Sequence, residues 1–153
     1  MPALDHKVPP PVVLLVTAGL MAGSAALVTG IPPLDLVRTL IAVVVALAGV
    51  LCAGVGVLTF ARAKTTINPI NIDAASTLVT GGIFAWSRNP MYVGMVLVLT
   101  GWAVFLGSVW LIAGPLLFAV FIDRFQIQPE ERVLAAKFGS AYAEYCRRVR
   151  RWI

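Results

Sequence analysis

The sequence predicts an all-α integral membrane protein with four transmembrane helices and a C-terminal amphipathic cytoplasmic helix. Three observations predict it. Hydrophobic residues make up 59% of the 153-residue chain and charged residues only 12%, about half the ~25% of an ordinary soluble domain. The apolar residues are gathered into runs long enough to cross a bilayer. The charged residues fall almost entirely between and after those runs. A soluble protein of this size could not hide so much apolar surface, and a soluble nucleotide-binding α/β domain is excluded for want of polar residues to cover it. Residues 1–153 read as a single membrane domain.

The first run, Val12 to Thr29, is free of charge, with Pro9-Pro10-Pro11 before it and Gly30-Ile31-Pro32-Pro33 after it. Its flank is too weakly basic for a cleaved signal peptide, and more membrane helix follows. The second run, Thr39 to Phe60, lies between Arg38 and the pair Arg62 and Lys64. Its small residues Gly49, Ala53, Gly54 and Gly56 permit close helix approach. Gly54-Val55-Gly56 superficially resembles a phosphate loop, but no strand precedes it and it reads as packing.

From Asn89 to Ile122 there is no charged residue in 34 positions. As one helix that stretch would run ~51 Å, too long for the ~30 Å hydrocarbon core. Splitting it at Gly107-Ser108 yields two short crossings, 90–106 and 108–122, joined by a tight turn. Four crossings at about 12–29, 39–60, 90–106 and 108–122 put eleven of the twelve Lys and Arg residues on one side, with only Arg38 opposite. A three-crossing arrangement would separate the basic loop from the basic tail. The positive-inside tendency therefore places both termini in the cytoplasm, in a multi-pass protein that reads as bacterial and resident in the cytoplasmic membrane. After Pro129 the pattern changes: Val133, Leu134, Phe138, Tyr142 and Tyr145 recur at three- and four-residue spacing among charges. That is an amphipathic helix from Pro129 to Arg148, weakly interrupted at Phe138-Gly139.

The net charge of +5 fits anionic headgroups better than nucleic acid, because most of the cations flank apolar runs. Cys52 and Cys146 form no disulfide framework or metal spacing, so both read as free thiols and no metal site is expected. No span contains an ionisable acid or base, which argues against a proton-coupled transporter. Polar chemistry is concentrated in two cytoplasmic segments, 61–89 and 123–153.

The joint occurrence of STLVTGGIFAWSRNPMYVG and PEERVLAAKFGSAYAEYCRRV resembles the isoprenylcysteine carboxyl methyltransferase family, whose relatives include phospholipid N-methyltransferases. The likeness covers about residues 61–152. It implies an S-adenosylmethionine-dependent methyltransferase whose cofactor is held at the membrane face and whose hydrophobic or lipidated acceptor, of the isoprenylcysteine carboxylate type, arrives through the bilayer. A phosphatidylethanolamine-type N-methyltransferase and a non-catalytic membrane scaffold are the alternatives. Carried over by position, the resemblance implies cofactor contacts at Ser76, Thr77, Leu78, Val79 and Phe84, then at Asn89, Pro90, Met91 and Tyr92, and at Glu130. Asn89 stands where the family has histidine. Gln126 stands where it has an arginine for the substrate carboxylate, with Arg124 nearby.

The residues carry a reading of their own. Glu130 offers an acceptor for an ammonium group or ribose hydroxyls, and Arg88 could pair with a cofactor carboxylate or with Glu130 or Glu131. Tyr92 and Phe84 supply aromatic faces for adenine or a sulfonium. Arg88, Asn89, Tyr92 and Glu130 are the candidate catalytic group, with Gln126 and Arg124 as candidates for the acceptor. Plainer roles stand beside these: Arg88 snorkelling at the interface, and Glu130 and Glu131 charging a helix start. Trp86, Trp102 and Trp110 read as interfacial or lipid-facing anchors. Arg147, Arg148, Arg150 and Arg151 read as a headgroup-binding cluster, and the lone histidine, His6, has no assigned role.

Overall fold

Prolines and one acid decide where the helices begin. Pro10 and Pro11 open α1 (Pro10–Ser24), since a proline ring presets the helical φ and lacks only an N–H that the first turn leaves unbonded. A wider, π-helical turn, Ala25–Thr29, continues it. Asp35 caps α2 (Leu36–Arg62), its carboxylate accepting the Arg38 backbone N–H at 2.7 Å. The cap starts this helix ahead of the expected Thr39, so Arg38 lies inside its first turn, where its guanidinium donates to the Pro33 carbonyl at 2.6 Å. Pro90 opens α3 (Pro90–Leu106), and Gly107 ends it at φ 76, a left-handed conformation that glycine adopts without a Cβ penalty. The expected break at 107–108 is thus present.

The computed structural model describes residues 8–30, 32–63 and 77–153. The readings placed on His6, Lys64 and Ser76 lie outside the described residues. Among those residues the secondary structure is entirely helical.

Beyond Gly107 a 3-10 turn (Val109–Ile112) leads into α4 (Ala113–Ile122). The chain does not leave the helix where the charges begin. A π-helical turn, Asp123–Ile127, carries it directly into α5 (Gln128–Arg148). Pro129 has no N–H to continue the helical ladder and its ring crowds the preceding turn, and the wider π turn lies directly before it. Gly139 breaks α5 fully rather than weakly, at φ 50 and ψ −121.

Three helical stretches are long and apolar enough to cross a membrane: Pro10–Val28, Leu36–Arg62 and Val109–Arg148. Pro90–Leu106 is a shorter apolar helix of 17 residues. The apolar part of the long final stretch ends at Ile122, before Asp123.

Helices α2 and α3 run antiparallel along a seam of small residues spaced by seven: Ala42, Gly49 and Gly56 are the buried positions of α2, facing Gly101, Gly94 and Met91 respectively. A methyl group added to Gly94 would lie 2.5 Å from the Gly49 carbonyl oxygen and 2.7 Å from the Ala53 nitrogen. Such contact lets backbones meet where lipid supplies no hydrophobic drive. Gly54 faces open space. Helix α1 packs on α3 and α4: the Trp102 indole N–H donates to the Ala18 carbonyl at 3.1 Å and its ring stacks on Phe105. Trp102, half-buried, is thus tied into the bundle; an indole N–H set against a neighbouring helix needs an acceptor, and α1 provides one. Leu99, Leu106, Phe118, Ile122 and Ile127 form the core, while Leu15, Leu20, Leu51 and Leu117 point outward.

These contacts bring Val8, Phe60, Tyr92 and Gln126 to one end of the bundle. Arg38 and Gly107 meet at the other.

Candidate active site

At that first end, a cavity is enclosed by the end of α2, residues 77–89, the first turn of α3 and both halves of α5. It is lined by Thr77, Leu78, Val79, Phe84, Arg88, Asn89, Met91, Tyr92 and Glu130, with Phe60, Glu131, Leu134, Tyr142 and Tyr145. The first nine were all singled out from sequence. Pro90 is buried at the start of α3 and fixes the geometry of its neighbours. Proline disfavours the helical conformation for the residue before it, and Asn89 accordingly sits at φ −131, ψ 51.

The walls are made by long-range packing. Gly82, at φ 62, turns the chain so that a short 3-10 turn (Gly82–Ala85) buries Phe84. The Phe84 ring meets Phe60 edge-on, with centroids 4.9 Å apart. The Tyr145 hydroxyl donates to the Phe84 carbonyl at 2.7 Å. Beyond the break at Gly139, Tyr142 and Tyr145 pack with Leu78, Leu134 and Phe138. Burial pushes the Tyr145 phenol up to about 12 and the Tyr142 phenol above its ordinary value, so both remain neutral donors.

The electrostatics divide the two adjacent glutamates. Glu131 is ion-paired: its Oε1 lies 3.0 Å from an Arg88 nitrogen, and its Oε2 lies 2.6 Å from Arg151. Arg88 also touches the Cys146 sulfur. Arg88 is thus a partner of Glu131 rather than a free interfacial cation. Glu130 instead accepts the Tyr92 hydroxyl at 2.6 Å on Oε1. Burial pushes the Glu130 carboxyl up to about 7; the Tyr92 hydrogen bond pulls the other way, and the Glu131 charge adds to the rise. A carboxyl near neutrality can exchange a proton at ordinary pH.

The arrangement suits a cationic, aromatic-bearing ligand with a carboxylate of its own. Arg88 Nε is buried with no hydrogen-bond partner among the described residues, leaving a donor beside the cavity. Glu130 supplies an acceptor, and Phe60, Phe84, Tyr92 and Tyr142 supply rings. Groups of His, Cys, Asp or Glu able to hold a metal ion are absent among the described residues.

The two acceptor candidates lie elsewhere. Gln126 is buried, and its side-chain amide donates to the Val8 carbonyl at 2.8 Å. Arg124 is exposed beside the Phe125 ring, in a separate groove with Asp123, Gln128 and Trp152. Neither lines the cavity. Sequence reasoning passed over Phe60, Leu134, Tyr142 and Tyr145 as site residues. The two tyrosines, three apart in the F-G-x-x-Y-x-x-Y motif, carried a readable signal of a shared face; Phe60 carried none.

Residues 37–141 match the family described as phospholipid methyltransferase. A protein of Haemophilus influenzae described as uncharacterized is 40% identical over 63 residues, which is 41% of this chain and 100% of that protein. The protein-S-isoprenylcysteine O-methyltransferase of Schizosaccharomyces pombe is 36% identical over 75 residues, covering 47% of this chain and 30% of that enzyme's length.

Proposed function

The chain belongs to the phospholipid methyltransferase family, and we propose that it is an S-adenosylmethionine-dependent methyltransferase acting on a hydrophobic, membrane-partitioned acceptor. The observation that carries this reading is the Tyr92–Glu130 hydrogen bond inside a cavity ringed by the family-like residues Thr77, Leu78, Val79, Phe84, Arg88, Asn89 and Met91. When bound, S-adenosylmethionine supplies a methyl group activated by a sulfonium centre.

In this reading Glu130 accepts from the ammonium or ribose hydroxyls, and Arg88 Nε donates to the carboxylate. Phe84 and Tyr92 offer their faces to the adenine or the sulfonium. Thr77, Leu78, Val79 and Met91 close the walls and exclude water. Alignment and dryness are the main demands of an in-line methyl displacement, and an apolar lining broken by a few polar groups meets both. Pass α3 is read as the third of four crossings, with both chain ends and the cavity on the cytoplasmic side, where the cations gather. The α5 helix then lies along that membrane face.

The resemblance names an isoprenylcysteine carboxylate as acceptor. A phospholipid amine of the phosphatidylethanolamine type is favoured by one observation. Among the described residues Arg88 is the only cation that lines the cavity. Its terminal nitrogens meet Glu131 and Cys146, and its remaining donor, Nε, is taken in this reading by the cofactor, which leaves no second described cation for a carboxylate acceptor. An amine must instead lose a proton, and Glu130, held near neutrality, is suited to take it.

The test is to purify the chain in detergent, titrate it calorimetrically with S-adenosylmethionine and with its demethylated product, and then follow tritiated methyl incorporation. Vesicles containing phosphatidylethanolamine and a prenylcysteine analogue are offered in parallel. Binding of the donor with label in either acceptor is expected, with more in the lipid. No binding of donor or product would overturn the methyltransferase reading.

A further inference from the structure

Helix α5 ends at Arg148, and Val149 is extended, at φ −124 and ψ 131. In extended chain, alternate side chains point to opposite sides. Val149 is buried, Arg150 is exposed and Arg151 turns inward again. The Arg151 side chain is 36% exposed, against 71% and 66% for Arg147 and Arg148. Arg147 and Arg148 both pair with Glu144 at the surface. Arg151 therefore leaves the headgroup cluster to which its sequence position assigned it.

Its contacts all lead to the cavity wall. The guanidinium grips Glu131 through two bonds, Nε to Oε1 at 3.1 Å and a terminal nitrogen to Oε2 at 2.6 Å. The other terminal nitrogen reaches Asp123 Oδ1 at 3.2 Å, and Gln128 donates to Asp123 Oδ2 at 2.9 Å. Glu131 in turn holds Arg88. The backbone of the same segment adds two more bonds. Arg88 N–H donates to the Arg150 carbonyl, and the Asn89 side-chain amide donates to the Arg151 carbonyl, both at 3.0 Å. Trp152 packs on the core beside them. Two cations and two anions, Arg88, Glu131, Arg151 and Asp123, form one neutral chain from the cavity to the surface, and Arg151 is the link joining its halves.

We infer that Arg151 is a positioning residue for the cavity: by bridging Glu131 and Asp123 it fixes the carboxylate that aims Arg88 and docks the segment whose carbonyls hold Arg88 and Asn89. The inference rests on the cavity being the cofactor site. A planar guanidinium suits the task because it bonds both oxygens of one carboxylate while still reaching a second. An ammonium presents its donors from a single nitrogen and lacks the fork that holds both Glu131 oxygens while a third donor reaches Asp123.

The test is a double-mutant cycle read as S-adenosylmethionine affinity, by calorimetry on the full chain in detergent. Arg151→Ala and Glu131→Gln are each expected to weaken binding about tenfold, with the double variant no weaker than the worse single one, because both cut the same link. Arg151→Lys should fall between wild type and Arg151→Ala. Arg150→Ala, which removes the same charge from a side chain pointing outward, should stay within twofold. Additive losses in the cycle, or equal losses for Arg150→Ala and Arg151→Ala, would overturn the inference.

Hydrogen exchange of the 86–92 peptide supplies a second readout that needs no ligand. The Arg88 amide should lose protection in Arg151→Ala and in Glu131→Gln but keep it in Arg150→Ala; unchanged protection in all three overturns the positioning role. If the wild-type chain binds neither donor nor product, the methyltransferase reading falls, and the exchange data alone judge Arg151. Should Arg151→Ala not fold, Arg151→Lys and Asp123→Asn carry the same comparison, with partial loss expected and no loss overturning.

Discussion

Tyr92 and Glu130, 38 residues apart in the chain, share a hydrogen bond of 2.6 Å in which the phenol donates to the carboxylate. The first turn of α3 and the first turn of α5 are thereby tied together at the cavity. The bond leaves Glu130 without a described cation partner, while its neighbour Glu131 takes two. Among the described residues Glu131 is neutralised by ion pairs and Glu130 is held by a neutral phenol.

Removing the Glu130 carboxylate should abolish cofactor binding. Glu130→Ala is expected to show no heat of S-adenosylmethionine binding in a titration that detects wild type readily. Trp110, 46% exposed in the 3-10 turn ahead of α4 and absent from the cavity lining, is the control, and Trp110→Ala should bind as wild type does. Equal behaviour of the two variants would refute the site.

Tyr92→Phe keeps the ring and deletes the hydroxyl. The Tyr92 hydrogen bond lowers the Glu130 pKa from where burial alone would put it, so its loss should move the carboxyl above about 7. If Glu130 acts as the proton acceptor, the rising limb of the pH profile of kcat/KM moves to higher pH in this variant. An unmoved limb means another group titrates.

The same carboxyl makes stability depend on pH. Its ordinary value is 4.5 and its folded value is about 7. Between those limits the folded state binds more protons than the unfolded state, so stability falls as pH rises through that window. Below it this group contributes nothing, and above it the penalty is complete. Glu130→Gln carries no such penalty. Its thermal midpoint in detergent should exceed that of wild type at pH 8 and converge with it near pH 4; parallel curves would contradict the burial of the charge.

The α2–α3 seam can be probed away from the cavity. Gly94→Ala forces a methyl to 2.5 Å from the Gly49 carbonyl oxygen, and overpacking of this kind costs about 1–3 kcal/mol. Gly54→Ala meets nothing within 4 Å and should be neutral or stabilise by up to ~1 kcal/mol, as alanine does in a helix interior. Reversal of that order in thermal unfolding would mean the two helices pack through another face.

Much of the cavity was legible in the sequence because the family resemblance falls on residues clustered along the chain. Thr77 to Val79, Phe84 and Arg88 to Tyr92 fall within one short segment, and Glu130 begins the next polar one. Gln126 was not legible: a side chain whose partner is Val8, 118 positions away, carries no local sign of that bond. The Trp102 bond was hidden for the same reason, its acceptor being Ala18 on another helix. Arg151 looked like one of four surface arginines until the fold brought Asp123 and Glu131 to it.

The amino-acid order alone determined the solvent of this protein and the course of its helices. Hydropathy, proline and glycine signals act over a few residues, and their consequences are settled by local free energy. Only the tertiary structure decided which charges neutralise one another and which carboxylate is left over. Ion pairing falls off over a few ångströms in space and is indifferent to distance along the chain, so Glu130 and Glu131, identical and adjacent, acquire different roles from what the packed helices set beside each of them.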